Sequence, residues 1–345
     1  MAAFIIGVVI LLVCLVLFLL TVMYIERKLI GRFQVRYGPN RAGPVGLLQP
    51  IADALKVLTK EDFVPALTDR RVFRLAPVLA FIPALLPFAV IPFAPGMIFT
   101  DLNIGILYIV SVMSLGTIAV FMAGWASNNK FSLLGAMRAI AQSVSYEIPM
   151  GLSIVGVVMV VGSLSMTEIV KAQSVPFILM QPLGFVIFFI GTLSEINRTP
   201  FDIMEAESEI VAGYHTEYSG MSFSLFYLAE YTHALAAGGI IATLFLSGWE
   251  GPFLPAWAWL LIKMYAVFCI LVWFRATLPR LRIDQLMGFA WKFLLPMALM
   301  NILVVGIELS IWPSFPWPLL FVNFVFAALA IMGWSRVYQS RGAST

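Results

Sequence analysis

Long apolar stretches without one charged side chain recur along the chain, at 1–25, 75–100, 102–129, 148–167, 172–194 and 309–335. Crossing ~30 Å of hydrocarbon at 1.5 Å per residue takes a helix of ~20 mostly apolar residues, and each run is long enough. Three further apolar regions are interrupted by single charges, at Glu230, Lys263 and Glu308. The pattern predicts nine membrane helices, near 4–25, 76–94, 103–125, 146–165, 177–196, 221–247, 256–277, 288–309 and 317–336. Residues 50–60 have a different pattern. Gln49, Asp53, Lys56 and Lys60 fall on one side at helical spacing, and Ile51, Ala54, Leu55 and Leu58 on the other. That describes an amphipathic helix lying in the membrane plane. There is no internal repeat or low-complexity segment, so residues 1–345 read as one all-α, polytopic membrane domain.

Flanking charges orient the bundle. The first run has no basic residue before it and Arg27 and Lys28 after it, and it is too long for a cleaved signal peptide. The N-terminus is therefore expected outside and, after nine crossings, the C-terminus in the cytoplasm. Nineteen of the 21 Lys and Arg residues then lie on the inner side, as the positive-inside rule demands. The exceptions are Lys171, in an outer loop, and Lys263, inside a span. The outer connections at 248–252 and 312–318 are Trp/Pro interface turns, so chemistry is expected on the inner face.

Composition narrows the function. The chain is 61% hydrophobic and 11% charged, far from the ~25% charge of soluble domains. Nucleic-acid binding, disorder and a disulfide scaffold are thereby excluded. Cys14 and Cys269 are too few for a four-thiolate cluster, and His215 and His233 too few for paired haem ligation. No phosphate-cradling glycine motif, nucleophile elbow or metal-spaced His/Cys cluster is present.

The inner loops hold more than connections need. Residues 26–74 carry ten bases against five acids and are punctuated by glycine and proline at 38–44. The basic residues would equally suit an anionic-lipid anchor. Residues 198–220 invert the balance: Asp202, Glu205, Glu207, Glu209 and Glu217 face Arg198 alone. Opposite charges on one membrane face suggest that the two loops pack together or against a partner. On a helix Asp202, Glu205 and Glu209 would share a face and titrate as a coupled set; the alternative is a solvated acidic loop. Charges inside the spans favour the first reading, because each costs ~2.5–3.5 kcal/mol to insert and marks ion or proton paths. Glu147 opens the fourth helix and Glu195 closes the fifth, while Glu230 lies ~13 Å into the sixth and Lys263 ~10 Å from the outer end of the seventh. Tyr227 and His233 share the face of Glu230. Lys263 could instead snorkel outward; Glu230 cannot, and needs a partner or a proton. Glu308 is assigned no role.

Several segments resemble a known family: Glu26-Arg27-Lys28, 36–41, 46–53, 124–128, 138–147, 195–209, 216–218, 229–231 and 280–287. In order and over roughly 20–300 they resemble the quinone-channel membrane subunit, the H subunit, of respiratory complex I, the proton-pumping NADH:quinone oxidoreductase. The resemblance implies a protein joining the electron-transfer arm to the membrane arm and forming part of the quinone channel. It places Glu147, Glu195, Asp202, Glu205, Glu207, Glu217 and Glu230 in an acidic proton path, to which depth adds Lys263. It gives Arg198 and Arg280 the holding of the acidic loop, and Arg27, Arg36, Asp53 and Phe226 the quinone passage. It implies quinone as substrate and no cofactor on this chain. Iron–sulfur clusters and FMN are expected in partner subunits, and the other partners are further complex I subunits and the lipid bilayer. The ninth helix points to a bacterial member, hence a bacterial cytoplasmic (inner) membrane. A related membrane-bound hydrogenase or ferredoxin-fed complex uses a similar subunit. A stand-alone secondary cation transporter would show broken helices, for which Gly238-Gly239 is the candidate.

Overall fold

The computed structural model describes the backbone of residues 2–204, 207–312 and 318–342. Among them regular structure is helical, apart from one isolated bridge between Ala94 and Met97. In chain order the helices are α1 (Ala2–Phe33), α2 (Gln49–Thr59), α3 (Arg70–Leu85), α4 (Gly105–Ala126), α5 (Lys130–Val161), α6 (Met166–Ala172), α7 (Phe177–Met180), α8 (Pro182–Glu195), α9 (Glu207–Ile210), α10 (Gly220–Phe245), α11 (Ala256–Thr277), α12 (Ile283–Phe289), α13 (Leu295–Ile311) and α14 (Pro318–Gly342). A short π-helical stretch, Ala290–Leu294, joins α12 to α13.

Seven described helices are long and apolar enough to cross a membrane: α1, α3 with its 3-10 extension, α4, α5, α10, α11 and the α12–α13 run. The fifth and ninth expected spans are shorter apolar helices, Pro182–Glu195 and Leu320–Trp334. The fifth is broken. Gln181 leaves helical geometry (φ −131°, ψ 65°), and Pro182 starts the next helix where its missing N–H is harmless.

Helix α10 forms the axis, packing against α1, α3 and α11. Its run of Ala234, Ala236, Ala237, Gly238, Gly239 and Ala242 is buried and thin, which lets neighbouring backbones approach. A Cβ on Gly238 would stand 3.0 Å from the Met264 carbonyl oxygen of α11. The glycine pair therefore serves packing and does not interrupt α10. On the other side α5 packs on α4, α8 and α13. A second, smaller core lies among Phe73, Ala123, Ala136, Tyr214, Tyr218 and Phe226, under the inner loops.

Prolines inside helices leave carbonyls that distant side chains take up. Pro77 cannot donate to Phe73 four residues earlier, and the Tyr218 hydroxyl donates to that carbonyl at 3.1 Å. Pro296 likewise frees the Lys292 carbonyl, to which Trp334 Nε1 of α14 donates at 2.6 Å. Each bond ties an inner loop or a late helix to the bundle.

One boundary differs greatly from the sequence expectation. Helix α5 begins at Lys130, capped by Asn129 accepting from the Phe131 N–H, and runs 32 residues. The polar residues Lys130, Arg138 and Gln142 in its first half hid that extension. Glu147 therefore stands in mid-helix rather than at an opening, ~21 Å from the outer end.

Candidate functional site

A cavity of about 80 Å3 opens between α3, α4, α5 and α10, with Glu195, Asn197, Tyr214, Phe226, Glu230 and His233 on its wall. Each arrives there for a local reason. Glu195 is the last residue of α8, and Asn197 follows with φ 56°, turning the chain sharply inward. Glu230 and His233 are one turn apart on α10, so both face the same space. Tyr214 and Phe226 meet edge to face at 5.2 Å and close the inner side. Glu147 enters from α5: its carboxylate accepts from Ser114 Oγ of α4, and it is near enough to Glu195 for their charges to interact.

Beside the cavity lies a buried ionic cluster. Arg198, 4% exposed, donates from Nη1 to Glu26 Oε1 at 2.6 Å and from Nε to Glu230 Oε1 at 2.8 Å. Its guanidinium lies 4.7 Å from the centre of the Tyr231 ring. Arg275, in the last turn of α11, donates to the same Glu26 oxygen. Two guanidinium groups thus meet two carboxylates, one from α1 and one from α10. The planar fork of arginine suits this; a single ammonium point charge would not span both acids. Burial opposes the charge on Arg198, but Glu230 and Glu26 outweigh it and hold the group protonated. Glu195 differs: its Oε2 is buried without a hydrogen-bond partner.

The acidic loop is not one helix. Asp202 lies in a turn and α9 begins only at Glu207, so Asp202 and Glu209 do not share a helical face. Pro200 and the αL residue Asn197 break the run that periodicity alone would continue. The described acids also disperse. Asp202 accepts from Arg280 Nη2 at 2.9 Å, Glu209 from Arg138 at 2.5 Å, and Glu217 from Asn129 Nδ2 at 2.6 Å. Glu205 and the side chain of Glu207 lie outside the described residues. The expected pairing of the basic first loop with the acidic loop is therefore not made through these three acids, which turn to α5, its cap and the α11–α12 connection. The first loop reaches this region without its basic residues, through a ring stack and an acid. Phe73 stacks on Tyr218 at 3.9 Å, and Ser222 Oγ donates to Asp62 at 2.7 Å. Burial pushes the Tyr218 hydroxyl up and brings His215 down to about 4, so His215 is neutral at physiological pH.

Residues expected along a quinone passage separate into two places. Arg27 of α1 pairs with Asp53 of α2, and Gln49 donates to the same carboxylate at 3.0 Å. Arg36 donates to Gln34 at 2.7 Å. Phe226 is buried with Tyr214 and Tyr218 on the cavity wall, away from that pair. Lys263 is likewise set apart: its ammonium donates to the carbonyls of Leu246, Gly248 and Glu250 at 2.6–2.8 Å, capping the turn after α10. It snorkels. Sequence reasoning missed Glu26 and Arg275 as members of the cluster. Their signal was positional, since Glu26 is the first charge after the opening apolar run.

The architecture defines an all-α, multi-pass membrane protein with several partly buried carboxyls around one cavity. A sequence profile described as NADH dehydrogenase matches residues 6–306, so the chain belongs to that family. It is 59% identical over 320 residues to the H subunit of NADH-quinone oxidoreductase from Dehalococcoides mccartyi strain CBDB1, covering 92% of this chain and 91% of the relative. It is 50% identical over 303 residues to the protein of that name from Carboxydothermus hydrogenoformans (86% and 87% covered). The Brevibacillus brevis counterpart is 48% identical over 313 residues (89% and 93%).

Proposed function

We propose that this chain is the membrane subunit of a proton-translocating NADH:quinone oxidoreductase that converts quinone reduction into movement of charge within the bilayer. The observation that carries the reading is Arg198, shared between Glu26 on the α1 side and Glu230 on the cavity side. Glu26 is next in sequence to Arg27, which pairs with Asp53 of the in-plane helix α2. A change of charge where quinone meets α1 and α2 shifts the share of Arg198 that Glu26 takes. Glu230 then loses or regains its counter-charge and takes up or releases a proton to the cavity, where Glu195, Glu147 and His233 are the next stations.

This chain contributes binding surface and electrostatics. Hydride and electron transfer, with FMN and iron–sulfur clusters, belong to partner subunits, and those chains choose the electron donor. The quinone passage runs past Arg27, Arg36 and Asp53, with Phe226 between it and the cavity. Asp202, Glu205, Glu207 and Glu217 supply protons at its inner mouth, with Arg280 anchoring the loop. The chain works as a single domain in a bacterial inner membrane, N-terminus outside, its fifth crossing assembled from α7 and α8. Lys263 has an anchoring role and no station on the path.

The test is Glu195→Gln in the intact complex, reconstituted in vesicles. Assembly and quinone affinity are expected to persist, while proton uptake per electron falls. A full proton stoichiometry would remove Glu195 from the path.

A further inference from the structure

The outer half of the bundle holds a second polar site that the acidic line does not use. Glu308 of α13 is 6% exposed and lines a small cavity with Gln181, Asn301 and Asn323, all of them buried. Asn323 of α14 donates from Nδ2 to the Met180 carbonyl at 2.7 Å, where α7 breaks from α8, and to Glu308 Oε2 at 3.3 Å. Those two bonds fix the amide's orientation and leave Asn323 Oδ1 aimed inward without a donor. Gln181 donates to the Gly156 carbonyl at 3.0 Å, leaving its Oε1 without a donor too. Space for these amides comes from two glycines. A Cβ on Gly156 would stand 2.8 Å from Gln181 Oε1 and 2.9 Å from Asn301 Nδ2, and one on Gly184 would stand 3.1 Å from that nitrogen.

The site has an excess of acceptors. A carboxyl and two orphan amide oxygens converge, against one unused donor, Asn301 Nδ2. No Lys, Arg or His lines the cavity, and Glu308 is its one titratable residue among those described. An ionised carboxyl with no counter-charge does not persist at such depth. The space, about 10 Å3, admits one water-sized particle, far below the ~300 Å3 of sites for organic ligands, and a single carboxylate is too little charge for a divalent ion. The chain break at Gln181, where the Met180 carbonyl leaves the helical ladder and accepts from Asn323 instead, is the backbone feature that cation sites inside membranes use.

We propose that Glu308, Asn323, Gln181 and Asn301 form a site for one small monovalent cation, carried as a proton on Glu308 or as Na+ among the three oxygens. It docks α14 on the break between α7 and α8 and loads from the outer side. The proposal is independent of the inner acidic line.

The experiment uses the intact complex in native membranes and the apolar reagent dicyclohexylcarbodiimide, which adds to protonated membrane carboxyls. Adducts on the Glu308 peptide are read by mass spectrometry across pH, in NaCl or choline chloride. Labelling is expected to fall as pH rises. If Na+ is the natural occupant, Na+ at ten times its dissociation constant slows labelling about tenfold and choline does not; if the proton is, labelling follows pH and ignores Na+. An unlabelled Glu308 is decided by infrared spectra of wild type against E308Q. A carboxyl band that disappears in the variant and responds to pH or Na+ upholds the site. Loss of no such band, or labelling flat in both pH and Na+, overturns it. The amide variant keeps the bond to Asn323, so its folding and quinone reduction are expected to stay unchanged.

Discussion

Glu26 and Glu195 are both carboxyls at the inner end of a membrane helix, and their surroundings are opposite. Glu26 is clamped by Arg198 and Arg275, whereas Glu195 lines a cavity with one oxygen unpartnered and another acid, Glu147, as a charged neighbour. Two guanidinium groups on one carboxylate make charge-assisted hydrogen bonds that hold architecture. One facing a cavity and another acid changes its protonation with little rearrangement, and so can carry protons. Glu230 stands between these extremes, touching Arg198 and facing the cavity at once. The same residue type therefore meets three surroundings within one bundle, set by distance to arginine.

The largest expected effect breaks the clamp. Arg198→Leu leaves Glu26 and Glu230 buried, with Arg275 the only remaining cation of the cluster. Removing one partner of a buried pair costs about 3–5 kcal/mol, so the assembled complex should lose much of its thermal stability and quinone reductase activity. Arg198→Lys should recover part of the stability, because one ammonium reaches one carboxylate at a time. Differential scanning fluorimetry on membranes or purified complex measures both. Equal behaviour of Leu and wild type would dissolve the distinction between clamped and free acids.

Next in size is function at constant stability. Glu195→Gln removes a transferable proton and no ion pair, so melting should be unchanged while coupled proton uptake slows by about tenfold or more. Glu26→Gln should do the reverse, weakening assembly first. The two variants sharpen the contrast only if their deficits separate, stability with Glu26 and pumping with Glu195.

How much of this was readable beforehand follows from what periodicity and charge encode. Long apolar runs located the seven long helices, α11 to the residue but α5 with its start sixteen residues late, because burial in lipid needs only composition and length. Glu195 and Glu230 were readable as path candidates because an acid in or at the end of an apolar run has few uses, and the resemblance gave Arg280 the holding of the acidic loop, without naming the acid it meets. Hidden were features requiring the third dimension. Arg198 reaches back 172 positions to Glu26, and nothing local to either residue signals it. The inner half of α5 is polar enough to pass for a loop, and the acidic segment spaced like a helix is a turn at Asp202 with helix only from Glu207. The break at Gln181 lay within a run that looked continuous.

A smaller effect concerns the loop over the cavity. His215 packs edge to face against Tyr214 and Phe223, and burial lowers it to about 4 from an ordinary ~6.5. Between those values the unfolded loop binds a proton that the folded loop does not, so loop stability is full above about pH 6.5 and falls as pH drops toward 4. The expected loss is about 1–2 kcal/mol at pH 5 for a single group. Hydrogen exchange of peptides covering 209–218, corrected for intrinsic rates, should show faster opening at pH 5 than at pH 7.5. His215→Phe should lessen that difference, although the nearby acids keep a pH dependence of their own.

The smallest effect tests whether neutral bonds alone seat this loop on the first one. Tyr218 donates to the Phe73 carbonyl, which Pro77 has left without a helical partner. Tyr218→Phe keeps the stacked ring on Phe73 and orphans that buried carbonyl, a loss of about 1–2 kcal/mol. Pro77→Ala restores an N–H four residues on, so the helix itself can satisfy Phe73. In that background Tyr218→Phe should cost appreciably less, and the double-mutant cycle should give a coupling of about 1 kcal/mol. Additive losses would mean that the hydroxyl contributes nothing through the proline-freed carbonyl. The ring stack alone would then seat the loop, and the neutral attachment of the cavity's cover would rest on apolar contact, leaving charge to the Arg198 clamp on its other side.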